Sequence, residues 1–277
     1  MDSRVAQAMR LLEEQMTDSI DHVAIAAQVG LSRYRLHHLF LEETGETPGG
    51  YLRRIRVDLA AMRLRWTRET VGEVAHGLGY ASQGSFNRAF ADRFGTSPSR
   101  FRKDHEHWPH WPTAHLADRR VTVHERESLT CFARRYFGPL AEIEAKWQDF
   151  LGRLPDRFAA APTALFIGCT YDDPRFTPAS QIRYDCCITG LPAMSAGVVE
   201  GTGLHLQSTR PGLYAALEHR GDYSETIGSS YSMILDNWAS QTNRYTMADD
   251  PALEVYRVPP GRAQPGELAC SILVPLI

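Results

Sequence analysis

Residues 71–103 of this chain read VGEVAHGLGYASQGSFNRAFADRFGTSPSRFRK, and a similar stretch, VAIAAQVGLSRYRLHHLFLEETGETPGGYLRR, occupies residues 23–54. Four positions of the earlier stretch recur 50 positions later: Phe40 as Phe90, Gly45 as Gly95, Pro48 as Pro98 and Tyr51 as Phe101. Ala26 and Gly30 recur 49 positions later as Ala75 and Gly79, so the second copy has one extra residue after its glycine. A repeat of this length is typical of one supersecondary unit that is used twice.

Apolar residues at helical spacing continue through residues 4–103 and predict an all-α unit. The predicted helices cover about residues 4–16, 21–29, 32–43, 48–67, 70–78, 82–94 and a short segment from residue 98. In the first copy Gly30 ends one helix and Ser32 caps the next, which stops at Gly45. Each copy therefore has the form of a helix-turn-helix, with a small alanine where the two helices cross.

Two helix-turn-helix units joined by one long helix suit a protein that contacts two successive major grooves of DNA from one side. The apolar face of each second helix is predicted to pack inward, which leaves polar side chains near its start free to meet base edges. Gln and Asn suit adenine, Arg and protonated His suit guanine, and a Tyr ring can pack on a thymine methyl group. The candidate base-reading residues are Arg33, Tyr34, His37 and His38 in the first copy, and Gln83, Ser85, Asn87 and Arg88 in the second.

Composition is that of an ordinary globular protein, with 277 residues, 43% of them hydrophobic, and a net charge of −3. Residues 1–107 carry a charge of +1 and the remainder −4, so the net charge favours DNA binding by the N-terminal unit only weakly. An arginine run between residues 53 and 68 is typical either of a solvated helix face or of a phosphate-binding one. The five scattered cysteines favour reduced thiols over disulfides, and neither a metal site nor a cofactor fingerprint occurs.

After residue 118 short strand-like runs replace the helical pattern, with helical stretches near residues 140–154 and 224–240. This part also reads as a duplication, in which Gly138 corresponds to Gly221 and each half runs strand, helix, strand, strand. It predicts an α+β domain of two pseudo-symmetric halves. The predicted organisation is thus an all-α unit at 1–107, a Pro- and His-rich linker at 108–118, and the α+β domain at 119–277.

The second helix-turn-helix, GLGYASQGSFNRAFADRFGTSPSRFR, resembles the signature of the AraC/XylS family of bacterial transcription regulators, and the resemblance covers residues 5–103. It implies base-reading positions at Tyr34, His37 and His38, and at Gln83, Ser85 and Arg88. His38 stands where the family usually has arginine, and Gly84 offers no side chain at a position that often reads a base. Readout at the first site is therefore expected to be weaker or pH-sensitive.

Residues 119–277 resemble the GyrI-like effector-binding domain, on the motifs HRGDY (219–223), YDDP (171–174), RYDCC (183–187) and ALEVY (252–256). The resemblance implies a cleft between the two halves that binds amphipathic, often cationic, small molecules. Strand alternation in LEVYRV puts Glu254 and Tyr256 on the face opposite Leu253 and Val255. Glu254 in an aromatic cleft would favour a cation, whereas a solvent-facing Glu254 would have no such role. The other candidate ligand-binding residues are Tyr171 and Tyr184 on strands, and Trp147 and Trp238 on helices.

Two functions follow from these resemblances. The first is a ligand-responsive transcription regulator, an activator by resemblance, with double-stranded DNA, a small-molecule effector and RNA polymerase as partners. The second is a hydrolase of the GyrI-like fold with an appended DNA-binding unit, in which the carboxylate and Tyr223 or Tyr256 would act as acid and base. No apolar run long enough for a membrane helix and no secretion signal occur in the sequence, so we expect a soluble, cytoplasmic protein.

Overall fold

The computed structural model describes residues 2–17, 21–104, 111–155, 158, 161–191, 202–264 and 266–277, and the chain divides into two compact units, Met1–Trp108 and Pro109–Ile277. The predicted linker, 108–118, spans this division. Its first three residues lie outside the described residues, and Ala114–Leu116 form a single 3-10 turn within the second unit.

The described part of the first unit is helical throughout, and the helix boundaries follow local capping chemistry. Asp21, Ser32, Thr47, Thr70 and Ser82 each accept a backbone N–H at the start of a helix, which satisfies donors that the first turn leaves unpaired. The helices are α1 (Ser3–Glu14), α2 (His22–Gln28), α3 (Arg33–Thr44), α4 (Pro48–Trp66), α5 (Val71–Gly77), α6 (Gln83–Phe94) and α7 (Pro98–Lys103).

The two predicted helix-turn-helix units are present as α2–α3 and α5–α6. Their turns are built alike: Gly30 and Gly79 have left-handed φ values of 68° and 73°. In each turn the residue after the glycine donates back to the crossing alanine, Leu31 to Ala26 at 2.8 Å and Tyr80 to Ala75 at 3.1 Å. The repeat in the sequence therefore encodes the same backbone turn twice.

Arginines of α4 hold the unit together, which corrects both readings of the arginine run for those residues. Arg54 is buried and pairs with Glu46 at 2.9 Å and with Asp58 at 3.5 Å. Asp58 also pairs with Arg93 of α6 at 3.0 Å, so one buried carboxylate ties α4 to the second recognition helix. Arg56 donates to the Met16 carbonyl at 2.6 Å. These guanidinium groups serve internal contacts because α4 is the shared core of both repeats.

Among its described residues, the second unit forms one eight-stranded antiparallel sheet with helices on one face. The strand order is β1-β6-β8-β7-β3-β4-β2-β5, and both edge strands are short. The elements are β1 (Thr122–Arg126), β2 (Thr130–Phe137), α8 (Ile143–Arg153), β3 (Leu165–Thr170), β4 (Arg183–Thr189), β5 (His205–Ser208), β6 (Gly212–Arg220), α9 (Tyr223–Ser232), β7 (Ala252–Tyr256) and β8 (Ala269–Pro275). A π-helical segment, Met233–Trp238, and a last turn, Ala239–Gln241, continue α9. Strand β5 is not among the strands that the sequence predicts.

The two strand-helix-strand-strand halves are confirmed, and they meet where β3 pairs with β7. Gly138 donates to the Ile182 carbonyl at 3.1 Å, and the equivalent Gly221 donates to the Leu268 carbonyl at 3.0 Å. Leu268 lies 86 positions after Ile182, and the same offset carries Gly168 to Glu254, which face each other across the central strand pair. The pseudo-two-fold axis therefore passes between Gly168 and Glu254.

The two faces of the sheet carry different cores. The helix-covered face is large and aromatic, with Trp147, Tyr184 and Tyr256 among its fully buried side chains. The core on the opposite face has fewer residues and combines small ones, such as Ala133 and Cys169, with larger ones, such as Tyr214. All five cysteines are free and buried. Within the described ranges, no helix is long and apolar enough to cross a bilayer.

The two turn glycines give the first testable prediction. Gly30→Ala forces alanine into a left-handed conformation at a place where a Cβ meets nothing within 4 Å, so we expect a cost of about 1–2 kcal/mol. Gly79→Ala carries the same strain, and its Cβ would lie 2.5 Å from the Thr17 carbonyl oxygen, which adds about 1–3 kcal/mol. Hydrogen exchange of the slowest α4 amides in the full chain measures both; equal losses would contradict the close approach to Thr17.

Candidate functional site

The recognition helices α3 and α6 present the predicted base-reading residues on their outer faces. Arg33, Tyr34, His37 and His38 are all exposed on α3, whose buried side is Leu36, Leu39 and Phe40. Tyr34 is 74% exposed, although its ring packs on His38 with centroids 4.2 Å apart. The first copy therefore offers an aromatic and imidazole surface.

The second recognition helix offers hydrogen-bonding groups instead of rings. Gln83, Ser85 and Arg88 are exposed at the start of α6, above the buried Phe86 and Phe90. The Ser85 hydroxyl donates to the Ser82 carbonyl at 2.7 Å, so it also serves the helix cap. Asn87 is only half-buried, but its side-chain oxygen is inaccessible to water. Bidentate contact with adenine needs both amide atoms, so Asn87 is the least favourably placed of the eight.

In the second unit, a fully buried carboxylate, Glu254, lies on the axis between the two halves and accepts hydrogen bonds from four phenols. Tyr256 and Tyr184 donate to Oε2 at 2.7 and 2.8 Å. Tyr223 and Tyr231 each donate to Oε1 at 3.0 Å. Two carboxylate oxygens offer about four acceptor positions, so the phenols saturate them. We call Glu254 and these four tyrosines the carboxylate cluster.

Three strands and one helix bring the cluster together. Strand alternation places Glu254 and Tyr256 on the helix-covered face, as predicted, and β4 brings Tyr184 from the other half. Tyr223 and Tyr231 stand eight residues apart on α9, which puts them on one side of that helix. Gly168 leaves the space: a Cβ there would lie 1.8 Å from the Tyr184 hydroxyl and 2.9 Å from Glu254 Oε2.

Burial dominates the electrostatics of the cluster. Desolvation raises the pKa of Glu254, while the hydrogen bonds from Tyr256, Tyr184, Tyr223 and Tyr231 act in the opposite direction. Burial, followed by the charge of Glu254, raises the pKa of all four phenols well above its usual value. In the described part of the chain, every donor to Glu254 is neutral, and no Arg, Lys or His pairs with it. The cluster thus holds a carboxylate in which hydrogen bonding replaces a counter-charge.

The predicted ligand-binding residues divide into two groups. Tyr256 and Tyr184 contact Glu254 directly, and the fully buried Trp147 donates to the Tyr184 hydroxyl at 3.3 Å. Tyr171 lies elsewhere: its hydroxyl donates to Asp185 at 2.7 Å, and its ring packs under the guanidinium of Arg135. Trp238 stacks on Tyr245 with centroids 6.0 Å apart. The structure therefore does not bring Tyr171 and Trp238 to the carboxylate.

Sequence reasoning misses Tyr223 and Tyr231 as partners of Glu254. It gives Tyr223 only as a possible acid or base, and it does not single out Tyr231. Their spacing of eight on a predicted helix is the available signal, because it marks two polar-tipped rings on the buried side.

Comparison with known proteins assigns both units. Residues 25–104 match a helix-turn-helix domain family, and residues 131–277 match the GyrI-like small molecule binding domain. The regulatory protein SoxS of Escherichia coli K12 is 34% identical over 91 residues, which are 33% of this chain and 85% of SoxS. This chain belongs to the AraC family of transcription regulators and carries a GyrI-like domain.

Other matches to this AraC-family regulator differ in how much of the chain they cover. The transcriptional regulator Rob of Salmonella typhimurium is 29% identical over 153 residues, covering 50% of this chain and 52% of Rob. Among solved structures, the DNA-binding domain of AdpA in complex with a target DNA is 26% identical, with a TM-score of 0.36; the match covers 38% of the regulator and 95% of that domain.

The carboxylate cluster gives the second prediction. Gly168→Ala should push the Tyr184 phenol away from Glu254, because the new methyl group and the hydroxyl oxygen cannot both fit. We expect the regulator to lose about 1–3 kcal/mol of stability in the second unit. Gly152→Ala is the matched control, since Gly152 is an exposed glycine of α8 where an added Cβ would meet nothing within 4 Å. Urea unfolding of both variants measures the difference, and equal stability would contradict the role given to Gly168.

Proposed function

We propose that this AraC-family regulator reads two successive major grooves with α3 and α6, and that an amphipathic cation bound at Glu254 controls it. The DNA part is supported by two equivalent helix-turn-helix units whose polar residues lie exposed above apolar cores. The single observation that carries the effector part is the fully buried Glu254, surrounded by neutral phenols.

The DNA part predicts the effect of Arg88→Ala. An exposed arginine at the start of a recognition helix suits guanine, and its loss should cost about 1–3 kcal/mol and relax specificity at one base pair. Arg126→Ala is the matched control, because it removes the same charge from an exposed strand position in the other unit. Footprinting on a DNA site selected with the wild-type protein should show two protected segments about one helical turn (~34 Å) apart. Protection of one groove alone would contradict the two-reader arrangement.

The effector part follows from the cost of burying a carboxylate. An ionised Glu254 has lost its hydration, and four phenols compensate through dipoles rather than through charge. A cation beside it gains the full attraction of a desolvated charge, while the surrounding rings supply apolar area and cation–π attraction. Because Glu254 is fully buried and phenols surround both of its oxygens, a cation that contacts it must displace at least one of them.

The fourth prediction concerns Glu254→Gln, tested with (naphthylmethyl)trimethylammonium and its neutral carbon isostere neopentylnaphthalene. The substitution keeps the side-chain shape and removes the charge. Binding of the cation should weaken by about 1–3 kcal/mol, the cost of losing one charged partner in a buried site. Binding of the neutral isostere should hardly change, since it never used the charge. Calorimetric titration of both compounds into wild type and variant measures this.

Two other roles for Glu254 give different results in the same titrations. A carboxylate with only a structural role predicts a lower melting temperature and equal loss of both compounds. A carboxylate with no role predicts no change for either compound. Equal loss for the cation and the isostere would refute the electrostatic proposal.

We propose regulation rather than catalysis, supported by the regulators to which the chain is related. The phenols also have raised pKa values, so they stay protonated and are poor general bases. Chromatography that shows loss of a small electrophile after incubation with catalytic amounts of protein would favour the hydrolase instead. Activation through RNA polymerase is part of the proposal, since one relative is named an HTH-type transcriptional activator, RhaS. The DNA partner proposed for this regulator implies that it acts in the cytoplasm.

A further inference from the structure

The helix that covers Glu254, α9, makes contacts on two of its sides. On the sheet side, α9 supplies Tyr223 and Tyr231 to the carboxylate, and Tyr231 also hydrogen-bonds Thr170 at 3.0 Å. On another side, Gly228 faces the indole of Trp111: a Cβ at Gly228 would lie 2.5 Å from the ring. The indole therefore rests directly on the backbone of α9, in a place that only glycine leaves open.

Further contacts attach the segment around Trp111 to the π-helical end of the same helix. Asn237 donates to the Thr113 hydroxyl at 2.9 Å. The guanidinium of Arg175 lies 4.9 Å from the centre of the Trp111 ring and donates to Asp236 at 2.8 Å. Both acceptor and donor on the helix, Asp236 and Asn237, belong to the π-helical segment. We call Trp111, Thr113 and Arg175, with these two partners, the latch.

The latch residues Trp111 and Thr113 stand close in sequence to the DNA-binding unit. Only residues 104–110 separate Trp111 from Lys103, the last residue of α7. Seven residues are a short connection, so any displacement of Trp111 moves the end of the connection that lies next to the second unit.

We propose that the latch reports the state of the carboxylate cluster to the chain that leads to the DNA-binding unit, an inference that rests on the function proposed for Glu254. A ligand that displaces Tyr223 and Tyr231 from Glu254 removes hydrogen bonds that hold α9 on the sheet, and a shift of α9 then disturbs the indole on Gly228 and the Asn237–Thr113 bond. π-Helical segments are often found at functional sites, where the helical hydrogen-bond pattern is interrupted. The helix is thus the element whose position both sites control.

The coupling is testable without any ligand, in the full chain labelled with 5-fluorotryptophan. The chain has five tryptophans, and the ¹⁹F resonance of Trp111 is the one that Trp111→Phe removes. The pair Tyr223→Phe with Tyr231→Phe removes both hydroxyls that α9 donates to Glu254. We expect the Trp111 line to move toward its position in Gly228→Ala, in which the new methyl group expels the indole.

The matched control removes two hydroxyls from the same carboxylate by way of the strands. Tyr184→Phe with Tyr256→Phe removes the same number of phenol hydroxyls from Glu254 and leaves the α9 phenols in place. The Trp111 line should stay where it is in wild type. Equal movement in both pairs would mean general loosening and would overturn the latch, as would no movement in either.

Reciprocity gives a second test with the naphthyl cation. If the latch holds α9 closed over Glu254, releasing it favours the open helix, so Gly228→Ala should bind (naphthylmethyl)trimethylammonium at least about fivefold more tightly than wild type. Gly152→Ala is the control for an added helical methyl group and should bind like wild type. Restoring space with Trp111→Ala in the Gly228→Ala background should keep the affinity high, because the indole is displaced in one variant and absent in the other.

The two proposals fail in different ways. Cation binding that Gly228→Ala does not strengthen relative to Gly152→Ala would overturn the latch and leave the Glu254 site standing. If the cation binds none of the variants, the function proposed for Glu254 fails for this probe, and the ¹⁹F comparison of the helix and strand pairs still decides whether the latch exists.

Discussion

The packing of the second unit of this regulator depends on a carboxylate that is buried without a counter-charge. Four phenols from both halves of the domain and from its covering helix converge on Glu254. Each element must hold its place within hydrogen-bond distance, because an unmet acceptor at this depth is costly. The cluster therefore fixes the position of α9 on the sheet, at the same point where a bound cation would be attracted most strongly.

The pseudo-symmetry of the domain is broken at the axis itself. The axis relates Glu254 to Gly168, and two glutamates facing each other there would place like charges side by side in the core. Glycine on one side leaves room for the Tyr184 ring, so one half supplies the charge and the other supplies the space. The two halves share one frame, and their difference at this pair places a single carboxylate on the axis.

Much of this architecture could be predicted from the sequence, because the signals are local. The repeated glycines predict both helix-turn-helix turns, and alternation in β7 places Glu254 on the face with Tyr256. What fails depends on packing between distant elements. Strand and helix membership groups Tyr171 and Trp238 with Glu254, but side-chain direction sends them elsewhere. The spacing of Tyr231 from Tyr223 indicates that the two rings share one side of α9, but it does not indicate which group on the sheet that side contacts.

The pairing of the two edge strands affects the order in which the chain can fold during synthesis. Strand β1 precedes the first half but pairs with β6 of the second, and β5 precedes the second half but pairs with β2 of the first. Each half thus lends its leading strand to the other, so neither can complete its own edge. During synthesis, β1 must wait for residues 212–216, far later in the chain, before it has a partner. The described contacts of the helical unit ahead of it lie within that unit, so the DNA-reading end of the chain can be finished before the sensing end has closed.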